Sequence, residues 1–256
     1  MSDSQSLKGK VAVITGGSRG IGLALAQAFS GQGCDVVITG RDARAFKTAS
    51  KKLETTESQF AAFRCDVRQA AEVQQLFATI KKRYSTIDIL VNNAGIAHPL
   101  LPVEKLPIEV WQQVIDTNLT GTFLCAHAAL PLMRAGGTIV NNLSVAAVQP
   151  FEGMAAYNAS KYGALGFTNV LREELRKKGI RVLALLPGAT DTAIWEQFWP
   201  EAPREKMLYA ETVAEAVLHV VTLPENATAS GARAPKSRQA ASPTLMAGMG
   251  SPLSPS

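Results

Sequence analysis

Cysteine is scarce in this sequence: Cys34, Cys65 and Cys125 are widely spaced and odd in number. That excludes a disulfide framework and a paired zinc motif, and predicts buried thiols of a reducing compartment. No apolar run behind the polar start "MSDSQSLKGK" is long enough for a signal peptide, and no stretch approaches a membrane span. A cytoplasmic protein without a membrane partner is the expectation. Blocks of five like charges are also absent, and the net +5 is spread along the chain, so nucleic acid is not an expected partner. No cluster of metal-ligating residues is visible, and none is needed for the chemistry read below.

What is present is enough apolar residue, 46% of 256, to bury one large core, in a chain short for two domains. Six short β-branched runs recur: "KVAVIT", "DVVIT", "FAAFRC", "DILVNN", "GTIVNNLS" and "IRVLALLP". Their continuous apolar character fits strands buried on both faces. Between them lie helical stretches, including one from Val110 to Met133 and another over "YNASKYGALGFTNVLREELRKKG". The alternation predicts an α/β fold: one Rossmann-type doubly wound parallel sheet with helices on both faces, over residues 1–224. Residues 225–256 break the pattern, with four prolines, six serines, no aromatic and no Val or Ile. Such a segment buries too little to offset its ordering entropy, so a disordered tail is expected and a last strand is missing or replaced. A natural extension and a frame change both explain that end.

The first strand runs into "TGGSRGIG". Gly16, Gly20 and Gly22 permit a tight turn, close backbone approach to a pyrophosphate and close helix packing, while Ser18, Arg19 and Ile21 complete the loop at a helix N-terminus that attracts anions. The spacing G-x-x-x-G-x-G departs from G-x-G-x-x-G, yet its place on the first strand-to-helix turn points to a dinucleotide. The acid that holds a ribose 2′-hydroxyl is replaced by Gly40, followed by Arg41. Arg41, helped by Arg19, suits a 2′-phosphate, so the expected cofactor is NADP(H). A shift of one residue would instead make Asp42 a ribose ligand and the cofactor NAD. Asp66 and Val67 end the third strand at an expected adenine edge; Asp66 with Gln69 also reads as a helix capping box. Asn93, Ala94 and Gly95, in "NNAG", end the fourth strand at the same sheet edge.

Ser144 ends the fifth strand thirteen residues before Tyr157, and Lys161 follows one helical turn later. Bringing a phenol from a pKa of about 10 to near 7 takes about 4 kcal/mol. One ammonium at ~4 Å in an effective dielectric of ~20 supplies about that much, so Tyr157 is expected to act as acid and base near neutrality. Tyr162 lies about 100° around the helix from Lys161 and is expected to serve packing.

"TGGSRGIG", "NNAG", Asn118 in "DTNLTGTF", Ser144, "YNASK" and "PGATDT" stand in the order and spacing of the short-chain dehydrogenase/reductase family, which residues 7–224 resemble. Among its members the chain is similar to NADP-preferring 3-oxoacyl-[acyl-carrier-protein] reductases and related carbonyl reductases. The resemblance implies that Tyr157 protonates the substrate oxygen, Ser144 holds it, and Lys161 binds the nicotinamide ribose and depresses the tyrosine. It implies further that Asn118 retains a water for proton relay, and that Pro187, Gly188 and Thr192 line the nicotinamide. Hydride transfer between NADP(H) and a small-molecule carbonyl or alcohol is the implied reaction. NAD-linked alcohol oxidation and a non-catalytic NADP-binding sensor are the alternatives. Residues 193–209, with Trp195, Phe198 and Trp199, match the family's substrate lid, although a surface helix packing its aromatics inward explains them equally. The family's seventh strand and its contribution to tetramers are not evident, so the expected homo-oligomer is a dimer through the helices at 110–133 and 157–178.

Overall fold

The computed structural model describes residues 6–53 and 58–224. The expected tail, 225–256, lies outside the described residues. Strands β1 (Val11–Thr15), β2 (Asp35–Gly40), β3 (Phe60–Arg64), β4 (Ile87–Asn92), β5 (Met133–Asn142) and β6 (Arg181–Leu185) form one parallel sheet in the order β3-β2-β1-β4-β5-β6. Strand order reverses between β1 and β4, which opens a crevice at the carboxyl edge there.

Helices α1 (Gly20–Ser30), α2 (Ala43–Leu53), α3 (Ala70–Tyr84), α4 (Ile108–Ile115), α5 (Gly121–Ala129), α6 (Ala155–Arg176) and α7 (Ala210–Val221) cover the two faces. Successive strand residues point to opposite sides, so Ile14 and Ile38 pack with Leu25, Phe29 and Val213 under α1 and α7. Val13 and Val37 pack with Phe77, Ile80 and Leu171 under α3, α5 and α6. Each of these large side chains contributes about 1.5–3 kcal/mol by leaving water. Two cores sharing one sheet explain why the strand sequences read as unbroken apolar runs.

Two details differ from the sequence reading. The helix expected from Val110 to Met133 is interrupted by a π-helical turn at Asp116–Thr120, and it ends in a 3-10 turn at Leu130–Leu132. Met133 pairs with Ile87 as the start of β5, before an irregularity that reaches Thr138. Tyr162, expected to be packed, is 44% exposed on the outer face of α6. Its position on the helix points away from the sheet.

Candidate active site

The crevice is bounded by the turn after β1 and the turn after β4, and Asn93 joins them. Its side-chain amide donates to the carbonyls of Thr15 (2.9 Å) and Gly16 (3.1 Å), while the Thr15 hydroxyl accepts the N–H groups of Asn93 and Ala94. Gly16 has φ +64°, and a Cβ there would lie 2.9 Å from Ala94 Cα. At Gly22 a Cβ would stand 2.4 Å from the Gly16 carbonyl oxygen. Both glycines are therefore required by the chain's own packing. Arg19 occupies the N-cap of α1 without a side-chain cap, so the first-turn N–H groups face the crevice edge with no side chain across them. At the opposite wall a Cβ on Gly188 would meet nothing within 4 Å. A glycine-floored slot with an uncapped helix N-terminus fits a dinucleotide.

At the far end of the slot β2 finishes at Gly40, where a Cβ would be in ordinary contact with Ser18 Oγ at 3.5 Å. Arg41 and Arg19 are exposed, and no described ion pair involves either. The Asp42 carboxylate accepts the N–H of Arg44 at 2.9 Å, at the start of α2. It is engaged as a helix-end acceptor through one oxygen. Asp66 does not form the expected capping box; its carboxylate is paired with Arg68 instead. Its Oδ1 accepts the Arg68 N–H at 3.1 Å, and both carboxylate oxygens accept Arg68 Nε at 2.9 and 3.0 Å. Gln69, not Asp66, is the N-cap of α3, and no side chain caps it. The Arg68 hydrogen bonds hold the Asp66 carboxyl below its ordinary range, with Arg41 acting in the same direction. Val67 is buried, its methyl 2.7 Å from where a Cβ on Gly121 would sit.

The reactive constellation gathers over β5. Ser144, Tyr157 and Lys161 meet as the spacing predicts: Ser144 is hydrogen-bonded to the Tyr157 phenol, and Lys161 Nζ lies 5.5 Å from the centre of the Tyr157 ring. Asn158 braces the intervening loop, donating to the carbonyls of Ala146 and Gln149 (both 2.8 Å) and accepting the Phe151 N–H (3.1 Å). Lys161 donates to the Asn142 carbonyl at 3.1 Å, and the Asn142 amide donates to Asn93 at 2.8 Å. Hydrogen bonds thus run unbroken from the glycine loop to the lysine.

In the chain's own surroundings, burial is the largest influence on both groups. Burial pushes Tyr157 up to about 12, against a smaller lowering by the Ser144 hydrogen bond, and pushes Lys161 down to about 8. Both groups lie almost wholly out of water, so desolvation exceeds what a neighbouring ammonium returns. The Asn118 side chain is held by protein groups. Its amide donates to the Ile96 carbonyl (2.9 Å) and Ser160 Oγ (3.0 Å), and its oxygen accepts the Ile96 N–H (2.9 Å). Its side-chain donors are taken by protein, while a Cβ on Gly95 would lie 3.4 Å from Asn118 Oδ1 and 3.8 Å from Lys161 Nζ, so the three residues do converge.

The Val145 N–H bonds the Pro187 carbonyl at 3.1 Å, and Thr192 stands against Gly20, 3.1 Å from a notional Cβ. The 193–207 segment is tied at its base by Thr190 pairing with Leu208 and by Arg204, which donates to Asp191 and to the Thr192 carbonyl, each at 2.8 Å. Trp195 donates to the Thr190 carbonyl at 2.9 Å and stacks on Phe198 and Trp199. Ile194 and Phe198 pack with Ala97, Ala146, Met154, Phe151 and Tyr157, so the segment covers the tyrosine with apolar side chains. The sequence reading missed Asn142, Asn158 and Arg68, and it missed Gln197, whose oxygen accepts the Ala97 N–H at 2.9 Å. Only Asn158, inside "YNASK", carried a local signal.

A doubly wound sheet with this constellation at its switch point defines a nucleotide-dependent oxidoreductase class. The short chain dehydrogenase family profile matches residues 10–203, and the chain belongs to that family. It is 36% identical over 234 residues to a 3-oxoacyl-[acyl-carrier-protein] reductase of Synechocystis sp., covering 88% of this chain and 94% of that protein. It is 37% identical over 189 residues to a 3beta-hydroxysteroid dehydrogenase of Mediterraneibacter gnavus, covering 73% and 68%. A short chain dehydrogenase from Burkholderia cenocepacia, solved in complex with NADP, superposes with a TM-score of 0.82 at 29% identity, over 90% of this chain and 97% of that one. Among the described residues no helix is long and apolar enough to cross a membrane.

Proposed function

We propose that this oxidoreductase reduces a small-molecule carbonyl with NADPH, using Tyr157 as the proton donor. The observation that carries the reading is the convergence of half-buried Ser144 with buried Tyr157 and Lys161 beside the glycine-floored slot. When bound, the nicotinamide supplies the hydride. Ser144 and Tyr157 hold the carbonyl oxygen, and the phenol gives its proton as charge develops there. Held at about 12, Tyr157 stays protonated throughout the neutral range, which suits a donor. Lys161, as ammonium, stabilises the phenolate left behind. Residues 193–209 act as the substrate cover and keep water from the reacting carbon.

Arg41 and Arg19 favour a 2′-phosphate, and the engaged state of Asp42 disfavours NAD. The solved relative from Burkholderia cenocepacia carries NADP, in line with this choice. The expected test is a panel of ketones, aldehydes and acyl thioesters, followed by NADPH absorbance with wild type and Tyr157→Phe. Turnover should fall by at least ~10³-fold in the variant, with NADPH still bound, since the phenol is the only acid at the reacting oxygen. Comparable turnover in both would remove the mechanism.

We also propose a homodimer through α5 and α6, whose outer faces expose Phe123, Tyr162 and Val170. Phe123 stacks edge-on against Phe167 across the two helices, which makes this apolar face continuous. Sedimentation velocity should give a dimer at micromolar concentration; a monomer there, or a dimer unaffected by Phe123→Asp, counts against this surface.

A further inference from the structure

Ile96, Ala97 and His98 follow one another after the β4 turn, and each holds a different part of the site. Ile96 is clamped by Asn118, Ala97 by Gln197 of the cover, and His98 meets the backbone of Tyr157. His98 is 2% exposed. Its Nδ1 lies 2.7 Å from the Pro99 carbonyl, which only accepts, so Nδ1 bears the proton. Nε2 is then a bare acceptor, and it faces the Tyr157 N–H at 3.4 Å. One neutral tautomer satisfies both neighbours.

That N–H has a particular need. Tyr157 is the third residue of α6, so its N–H lies among the first-turn donors for which a helix provides no carbonyl. Met154, at the N-cap, offers no side-chain acceptor, and the first regular bond of the helix runs from Asn158 to Met154. An acceptor must come from elsewhere in the chain, and His98 brings it from 59 residues upstream.

We propose that His98 is a positioning residue for the reaction: it replaces the missing cap of α6 and so sets the height of the Tyr157 phenol against Ser144. The proposal rests on the reading of Tyr157 as proton donor. The described hydrogen bonds of His98 go to the Pro99 carbonyl and the Tyr157 N–H, so its effect passes through the backbone of Tyr157. Small displacements of a reacting group carry large rate penalties, whereas substrate and cofactor contacts elsewhere are left alone.

The test uses the full chain and compares wild type, His98→Leu, His98→Gln and Tyr157→Phe for NADPH binding, thermal midpoint, kcat and KM on one accepted carbonyl. His98→Leu should lose about tenfold in kcat, with KM and NADPH affinity held within about twofold, because only the placement of the acid changes. His98→Gln presents an amide oxygen to the same N–H and should recover most of that loss. Rates are normalised to the NADPH-binding fraction, which removes misfolded protein; if His98→Leu does not fold, His98→Phe takes its place. Wild-type kcat in the acceptor-free variant, or equal losses in the glutamine and acceptor-free variants, overturns the proposal. Turnover retained in Tyr157→Phe overturns the reading of Tyr157 and the His98 proposal with it. Loss in Tyr157→Phe beside full kcat in the acceptor-free variant overturns the His98 proposal alone.

Discussion

At the end of the slot built by residues 40–68, the arginines at 41 and 19 stand in water and the buried Asp66 carboxylate is paired; at the end built by residues 118–161, the titratable groups are buried. Arg41 and Arg19 are exposed, and Asp66 is satisfied by a partner two residues away. Tyr157 and Lys161 are instead almost wholly enclosed, and the chain's own burial moves both away from their ordinary values in the direction of the neutral form. Exposed charges recognise at modest, salt-dependent strength, whereas enclosed ones govern proton chemistry. Under the proposed function, one end discriminates and the other reacts.

The contrast can be broken at either end. The largest effect belongs to Tyr157→Phe, described above. Next is Lys161→Met. Lys161 Nζ lies 5.5 Å from the centre of the Tyr157 ring, and an ammonium at about that range from a phenolate supports it by roughly 3 kcal/mol at an effective dielectric of ~20, about a hundredfold in kcat/KM at neutral pH. The sign of the pH dependence follows from which form is charged. Lys161, depressed to about 8, is ammonium below that pH, so reduction should fall as pH rises through about 8. Lys161→Met should abolish that limb; a variant keeping the same falling limb would assign it to another group.

The smallest effect is expected at the exposed end. Arg41→Ala should weaken NADPH by about tenfold, the low side of a charged hydrogen bond because the group stands in water, and leave NADH unchanged. The loss should shrink at high salt. Isothermal titration with both cofactors at two ionic strengths measures it. Unchanged NADPH affinity would remove Arg41 from cofactor choice and blunt the contrast between the ends.

The strands were legible because double-sided burial leaves a contiguous apolar signature, and the glycine turn because its spacing is local. The meeting of Ser144, Tyr157 and Lys161 was legible for the same reason: a strand end and one helical turn fix their relative places. Tyr162 was misread because a helix face says which residues share a side, not whether anything covers it. The capping reading of Asp66 failed because α3 starts after Gln69, and the arginine that pairs with the carboxylate stands two residues away. The protonation of Tyr157 needed depth of burial, which residue spacing does not encode. His98 left no pattern at all: a lone histidine in a loop gains meaning only from a helix that begins 57 residues later.

The π-helical turn at Asp116–Thr120 has a consequence for how this chain tolerates change in length. One residue more than a regular helix needs is stored there, and Asn118 stands inside it. Losing a single residue there would let the winding become regular with the downstream faces kept in place, whereas winding the same residues regularly would rotate everything downstream by about 100°. Cys125, Ala126 and Ala129, now against the sheet, would swing off it, and the asparagine would leave Ile96. The irregularity works as a phase adjuster: it lets one continuous rod present its first half to one neighbour, its second half to another, and a polar side chain to the crevice between them.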